Sequence, residues 1–418
     1  MTDVQPLRAL HYDPAAVGDL ALVTAPPYDV IDGKQRAALI ERSPFNVVAI
    51  DLPVGGDDRY EAAREQFESW QLQGILVRDP EPALWAYTQD YSGPDGERRR
   101  RRGFFCRVRI EGYGPGGVRP HERTHPGPKE DRLRLTRATR ANISPIFSLY
   151  SDPQQAAWSA LEPATSQAPW AEVTDADGTV HRVWRVTDPA AIEAVQAATR
   201  DAELLIADGH HRYETMDAYA REIGGEGDHR YILMCLVALE DPGLTVFPTH
   251  RVVRDLDDEQ WSALTQALER DFEITDVPVE EIAPTDPSGP LQMGYVDRRD
   301  GRAKRLRLRD QAIADEALRG HSEAYKRLDT AVLEALILKA ALGLSDEDIS
   351  HFHGMFYARD TDEALEMVRS GGYDAAFVMR ATPVAQVREI AAEGENMPPK
   401  STYFFPKLLT GLLFNPLS

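Results

Sequence analysis

Leu204-Leu205-Ile206-Ala207-Asp208-Gly209-His210-His211-Arg212-Tyr213-Glu214-Thr215 is the stretch on which the reading of this chain turns. An apolar run stops at an acid and a glycine. A helical pattern then starts at once, with Met216, Tyr219, Ala220 and Ile223 spaced for one face. The expectation is a strand, a tight glycine turn and a helix N-terminus. The first N–H groups of a helix lack partners inside it, and the helix dipole adds partial positive charge there, so such a turn is a ready anion site. Arg212 contributes a full charge, Asp208 an acid, and His210 and His211 two imidazoles. The alternative is a set of polar residues that only caps the helix.

Working outward, the 418 residues point to two or three domains. The expected division is a mixed α/β main domain over 1–255, a smaller α/β domain over 256–396, and a segment over 397–418 that packs back on the main domain. The net charge of −21 argues against a general binder of polyanions, and nucleic acid is not an expected partner. It leaves room for one local basic pocket. Cys106 and Cys235 each sit in an apolar, strand-like run and read as buried thiols of a reducing compartment. No basic-then-apolar leader opens the chain and no apolar run approaches 18 residues, so a cytoplasmic protein without a membrane span is expected.

Before the central stretch, Asn46-Val47-Val48-Ala49-Ile50 reads as a buried strand and 57–73 as a helix with Tyr60, Ala63, Phe67 and Trp70 on one face. A hairpin follows, turning at 92–96. Its return strand opens with five arginines, Arg98 to Arg102, which read as charge guarding an exposed sheet edge. Next comes Arg119-Pro120-His121-Glu122-Arg123-Thr124-His125-Pro126-Gly127-Pro128-Lys129-Glu130-Asp131-Arg132. Residues 121–125 match the H-E-x-x-H zinc pattern, which needs both imidazoles on one continuous helix. Pro126 disfavours helix at His125, so an extended loop presenting His121 and Glu122, then Lys129, Asp131 and Arg132, is the better reading. A helix is expected from about 129 to 141.

Beyond it, Pro248-Thr249-His250-Arg251 ends a strand that could complete a pocket beside the central turn. Residues 328–342 read as a helix. Residues 355–392 alternate strand, helix, strand, helix. The last motif, Met397-Pro398-Pro399-Lys400-Ser401-Thr402-Tyr403-Phe404-Phe405-Pro406-Lys407, places two lysines, two hydroxyls and three aromatics in a proline-bounded segment.

With Ala25-Pro26-Pro27-Tyr28-Asp29-Val30-Ile31, these motifs stand in one order along the chain. Together they resemble the prokaryotic proteins grouped as domain of unknown function 1015. The turn itself also resembles the Asp-Gly-x-x-Arg box of the wider ParB/sulfiredoxin-like group, whose members bind nucleotides or phosphates and include free-serine kinases and CTP-dependent partition proteins. That resemblance implies a ParB-like nucleotide- or phosphate-binding core. In it Asp208 would face a metal or the reacting hydroxyl, and His210, His211 and Arg212 would cradle phosphate. Glu122 would stand for the upstream glutamate of the kinases, at a longer spacing than in the compact ParB-like domain. No helix-turn-helix segment is evident beyond Arg230, against a role in DNA segregation.

The reading that follows is a small-molecule phosphoryl-transfer enzyme, a nucleotide-dependent kinase acting on a hydroxyl such as that of free serine. Glu122, Asp208, His121 and His210 are its candidate catalytic residues. His211, Arg212, Lys129, Arg132, His250, Arg251, Lys400, Ser401 and Thr402 are its candidate phosphate or nucleotide contacts. Asp208 would hold Mg²⁺, and the nucleotide would be ATP, ADP or CTP. No Walker A pattern is present, which excludes a conventional P-loop. A phosphomonoester hydrolase, a non-catalytic nucleotide-binding switch and the zinc hydrolase remain as alternatives.

Overall fold

The computed structural model describes all residues except Pro94, Asp95, Arg123, His125, Pro287, Ser288 and Ser418. His125, the second imidazole of the zinc pattern, therefore lies outside the described residues. The chain is a mixed α/β protein, and its contacts divide it into two units. The first comprises 1–120, 124–245 and 406–418, and the second 121–123 and 246–405. The segment 397–418 is thus shared, belonging to the second unit through Phe405 and to the first from Pro406.

Among the described residues of the first unit, nine strands form one sheet: β1 (Val4–Gln5), β2 (Leu84–Ser92), β3 (Arg98–Arg109), β4 (Val118–Arg119), β5 (Ile146–Tyr150), β6 (Ala171–Thr174), β7 (Val180–Val186), β8 (Leu204–Asp208) and β9 (Tyr231–Ala238). Their order is β4-β8-β5-β9-β3-β2-β7-β6, with β1 beside β3. β8 runs parallel to β4 and antiparallel to β5, and β9 runs parallel to β5. A strand covered on both faces reads as an unbroken apolar run, and Leu204 to Ala207 are all buried. Phe104, Cys106, Ile206, Met234 and Leu236 of the sheet pack with Tyr213, Met216 and Tyr219 of the helix α2 (His210–Ile223) in one core. Fully burying an aliphatic side chain of this kind is worth about 1.5–3 kcal/mol. Ile223, expected on the same face, is exposed in the last turn before Gly224.

One expectation is made specific and two are corrected. β3 pairs with β2 over Arg98–Phe105 and with β9 over Gly103–Arg109, so Arg98 to Arg102 have a strand neighbour on one side only. They are spent on Asp90 (Arg100), Asp241 (Arg102) and, for the fully buried Arg101, on Gln89. Residues 46–50 form no strand. Val48–Asp51 is a buried helical turn, and a short apolar run carries no period that would separate the two. The helix expected over 328–342 is a short α-helix, Asp329–Leu333, followed by a π-helical stretch, Glu334–Lys339.

The second unit is built on a six-stranded antiparallel sheet among its described residues. The strands are β10 (His250–Val253), β11 (Phe272–Asp276), β12 (Gln292–Asp297), β13 (Lys304–Leu308), β14 (Met355–Ala358) and β15 (Ala375–Val378), in the order β11-β13-β12-β15-β10-β14. Val252, Val296, Ala376 and Val378 pack there with Leu365 and Val368 of the helix Thr361–Arg369. Cys106 and Cys235 are buried free thiols. Among the described residues no helix is long and apolar enough to cross a membrane.

Candidate functional site

The central turn is built by an irregularity at the end of β8. Ile206 pairs with Ser148, but the next pair is Asp208 with Phe147, so Ala207 is an extra residue. Such bulges re-aim the following side chain. Gly209 follows at φ +101 as the N-cap of α2, in a left-handed conformation that suits glycine and brings no side chain to the cap. Its missing Cβ serves a second purpose, because a Cβ there would meet Arg212 Cζ and Nε at 3.1 Å. Arg212 folds back over this glycine. It donates to the Pro145 carbonyl and to Asp208 Oδ2, the latter at 2.8 Å.

The other oxygen of Asp208 accepts from Lys407 Nζ at 2.9 Å. Burial alone would raise the Asp208 carboxyl. Lys407 and Arg212, with a smaller contribution from His210, instead hold it well below the usual carboxylate range. Lys407 is fixed through its backbone by two buried side chains: Gln89, which sequence reasoning did not single out, and Arg101 of the arginine run. Gln89 Nε2 donates to the Lys407 carbonyl at 2.9 Å, and Arg101 donates to the Pro406 carbonyl and to Gln89 Oε1.

Arg132 lies on the inner side of the helix α1 (Pro126–Thr139) and is buried. It bonds Asp131 through Nε and Nη2, and Asp51 through Nη1 at 3.1 Å, and its guanidinium lies 4.3 Å from the Tyr28 ring centroid. Asp51 is itself buried, and its second oxygen accepts from Ser144 Oγ. Lys129 reaches Glu214 at 2.8 Å, beside a cavity of ≈ 580 Å³ that Tyr113 and Tyr213 also line. Each of Arg212, Arg132 and Lys129 therefore has a carboxylate partner. A ligand phosphate would have to share or displace it.

Asp208 does not fit as a ligand of Mg²⁺. Both of its oxygens already accept from cations, and a divalent ion would face an ammonium and a guanidinium across one carboxylate. Among the described residues no group of three or more His, Cys, Asp or Glu gathers to hold a metal.

Of the remaining candidates, His210, which is buried, and His211 open α2 in the first unit, and the others fall in the second. His121 is fully buried and bonds Thr402 Oγ1 through Nε2 at 2.8 Å, while Met397 N–H donates to its carbonyl. Glu122 stays 28 % exposed, 3.9 Å from His121. Both residues lie ahead of α1, which begins at Pro126, and neither is helical. Ser401 Oγ is bonded to the Pro398 carbonyl and to Thr330, and Lys400 adopts φ +56 with its side chain exposed. Arg251 is buried and donates to the carbonyls of Thr249, Pro399 and Lys400. His250 accepts the Met379 N–H on Nδ1 at 3.0 Å, and burial with the neighbouring Arg251 lowers its pKa to about 4. His250 is thus a neutral backbone acceptor, and Arg251 a clamp on the 397–400 segment.

The family model described as protein of unknown function (DUF1015) matches residues 4–331. The chain belongs to this family. The matched region holds the Pro-Pro-Tyr-Asp, His121-Glu122 and Asp208–Arg212 motifs of this DUF1015 protein, and stops short of 397–407. No curated protein matches it. Among solved structures it is similar to a conserved hypothetical protein from Pyrococcus furiosus at 14% identity and a TM-score of 0.34, over 69% of this chain and 86% of that one. It is also similar to a free serine kinase in complex with AMP at 13% identity and a TM-score of 0.36, over 69% and 83%. A C-terminally truncated SbnI from Staphylococcus aureus gives 10% identity and 0.34, over 70% and 82%. Likenesses of this depth carry no argument about what the chain binds.

Proposed function

We propose that this DUF1015 protein is a small-molecule phosphoryl-transfer enzyme that moves a phosphoryl group from a nucleotide to a hydroxyl. The observation that supports the reading is Asp208 held between Lys407 and Arg212 at the start of α2. Two full positive charges there adjoin the N–H groups and positive dipole end of a helix, the combination that suits phosphate oxygens. In this reading Asp208 is a positioning residue. Ionised by its two cations, it fixes where the Lys407 ammonium and the Arg212 guanidinium stand before the ligand arrives. Such preorganised charge is what phosphoryl transfer chiefly asks of a protein.

Mg²⁺ enters with the nucleotide as part of the substrate. Of the two groups offered for the hydroxyl proton, His121 is closed to solvent and Glu122 is not; both belong to the second unit, and neither is given a step at the Asp208 turn. In the transfer, the bond from phosphorus to the nucleotide oxygen breaks, the bond to the hydroxyl oxygen forms, and the hydroxyl proton leaves to water.

The test is phosphorus NMR on the protein with Mg²⁺ and ATP, ADP or CTP, with and without free serine as the acceptor, and Asp208→Asn alongside. An acceptor-dependent phosphomonoester signal, lost in the variant, is the expected result. Nucleotide signals that broaden without turnover would replace the enzyme with a binding switch. Product formed without an acceptor would make it a hydrolase. No effect of any nucleotide would end the phosphoryl-transfer reading.

A further inference from the structure

The Pro26-Pro27-Tyr28-Asp29 motif has no part in the site as described so far, yet its tyrosine borders it. Pro26 and Pro27 restrict the backbone, and Tyr28–Val30 closes a single 3₁₀ turn, so the ring is presented from a stiff segment. The Arg132 guanidinium packs on that ring at 4.3 Å. Beside it lies a cavity of ≈ 40 Å³ lined by Tyr28, Asp51, Arg132, Ser144 and Arg212 among others. That is room for water or for one small group of a ligand, not for a whole molecule.

The lining carries two guanidinium groups and the Asp51 carboxylate, while Arg132 is also bonded to Asp131 and Arg212 to Asp208 outside the lining. Both oxygens of Asp51 are already engaged, by Arg132 and by Ser144. Ser144 also bonds Thr410 at 2.9 Å, which fixes that wall. The Tyr28 hydroxyl differs from its neighbours, since no described residue hydrogen-bonds it. Burial pushes its pKa up to about 12 against the pull of Arg212 and Arg132, so it remains a neutral O–H donor. Arg212 belongs to this cavity and to the Asp208 turn alike.

We propose that this cavity receives an anionic oxygen group of the ligand, a carboxylate or a phosphate, which accepts from the Tyr28 hydroxyl and faces Arg132 and Arg212. The assignment deepens the phosphoryl-transfer reading, on which it rests for the kind of molecule that brings the anion. Tyr28 is a specificity residue here, and it takes no part in bond making.

The experiment compares the full-length protein with Tyr28→Phe, which removes one oxygen and keeps the ring under Arg132. Inorganic phosphate, glycolate and AMP are titrated separately by calorimetry, with thermal midpoints and tyrosine ultraviolet difference spectra recorded in parallel. The expected result is at least one anion that binds the parent protein about tenfold or more tightly than the variant, at an unchanged midpoint, with a tyrosine difference signal that the variant lacks. A loss confined to glycolate assigns the cavity to a carboxylate, and a loss for phosphate and AMP assigns it to a phosphoryl group. Equal affinities of the two proteins for every anion, or no binding to the parent, overturn the proposal. Turnover in the phosphorus NMR assay with Tyr28→Phe indistinguishable from the parent would remove this cavity and leave the phosphoryl-transfer reading standing. Anion binding that depends on Tyr28 without turnover would do the reverse.

Discussion

Lys407 Nζ lies 2.9 Å from Asp208 Oδ1, although 199 positions of sequence separate the two. With Arg212 on the other oxygen, the pair makes a buried three-charge unit at the helix start. Its members are at most 16 % exposed in their side chains, so solvent screens them little.

Lys407→Met tests that unit. Removing one cation leaves Asp208 with Arg212 alone, and a loss of about 1–3 kcal/mol is expected at pH 7, below the full cost of breaking an isolated buried pair. The pH dependence carries a sign. The folded carboxyl titrates below the unfolded value of about 3.9, so its stabilisation is complete above that value and disappears as pH falls through the folded one. The variant, with a less depressed carboxyl, has less to lose. The difference between parent and variant urea midpoints therefore narrows below about pH 4. A difference that stays constant from pH 7 to pH 3 would show that Lys407 acts through packing rather than through its charge on Asp208.

Gly209→Ala combines two penalties. The residue sits at φ +101, and the new methyl would meet the Arg212 guanidinium at 3.1 Å. Left-handed backbone costs an alanine about 1–2 kcal/mol, and displacing Arg212 also weakens its bond to Asp208. A total of roughly 1–3 kcal/mol by urea unfolding is expected, with weakened binding of whatever anion the parent binds. Unchanged stability would mean that the turn relaxes without strain.

The strand, the glycine turn and α2 were legible because an apolar run ending in Asp-Gly, followed by residues at helical spacing, has one simple reading. The partners of Arg212 were not. An arginine at a helix start looks the same whether it faces solvent or folds back over a glycine, and only the packed chain decides. Lys407 stood out only as one of two lysines in the 397–407 motif and Gln89 gave no local signal, since their roles depend on segments that meet from distant parts of the sequence. The arginine run lies on the part of β3 with one strand neighbour, and its partners, Asp90, Asp241 and Gln89, come from elsewhere in the chain and could not be read from the run itself. Residues 46–50 failed for want of a period.

The zinc pattern yields a prediction of its own. His121 and Glu122 precede α1, and His121 is closed in against Thr402, so the helix that a zinc peptidase needs is not formed by these two residues. Dialysis against EDTA is expected to leave the thermal midpoint unchanged, and elemental analysis to find no stoichiometric zinc. Near one zinc per chain, lost in His125→Ala, would restore the hydrolase reading.

His250 gives the second unit a pH signature of its own. Its Nδ1 accepts the Met379 N–H, and burial beside Arg251 lowers the pKa from the ordinary 6.5 to about 4. Between those values the unfolded chain binds the proton and the folded one does not. Stability from this group is therefore present above about pH 6.5 and is lost as pH falls toward 4. Each pH unit is worth about 1.4 kcal/mol, so the whole interval amounts to roughly 3 kcal/mol. His250→Asn places a side-chain carbonyl near the Nδ1 position and removes the titration. It is expected to flatten the stability profile between pH 6.5 and 4 while remaining more stable at pH 7 than His250→Ala, which leaves the Met379 N–H buried without an acceptor at a cost of about 1–3 kcal/mol. Urea midpoints at half-unit steps decide it. An Asn variant that keeps the parent's slope would move the titrating group elsewhere in the unit.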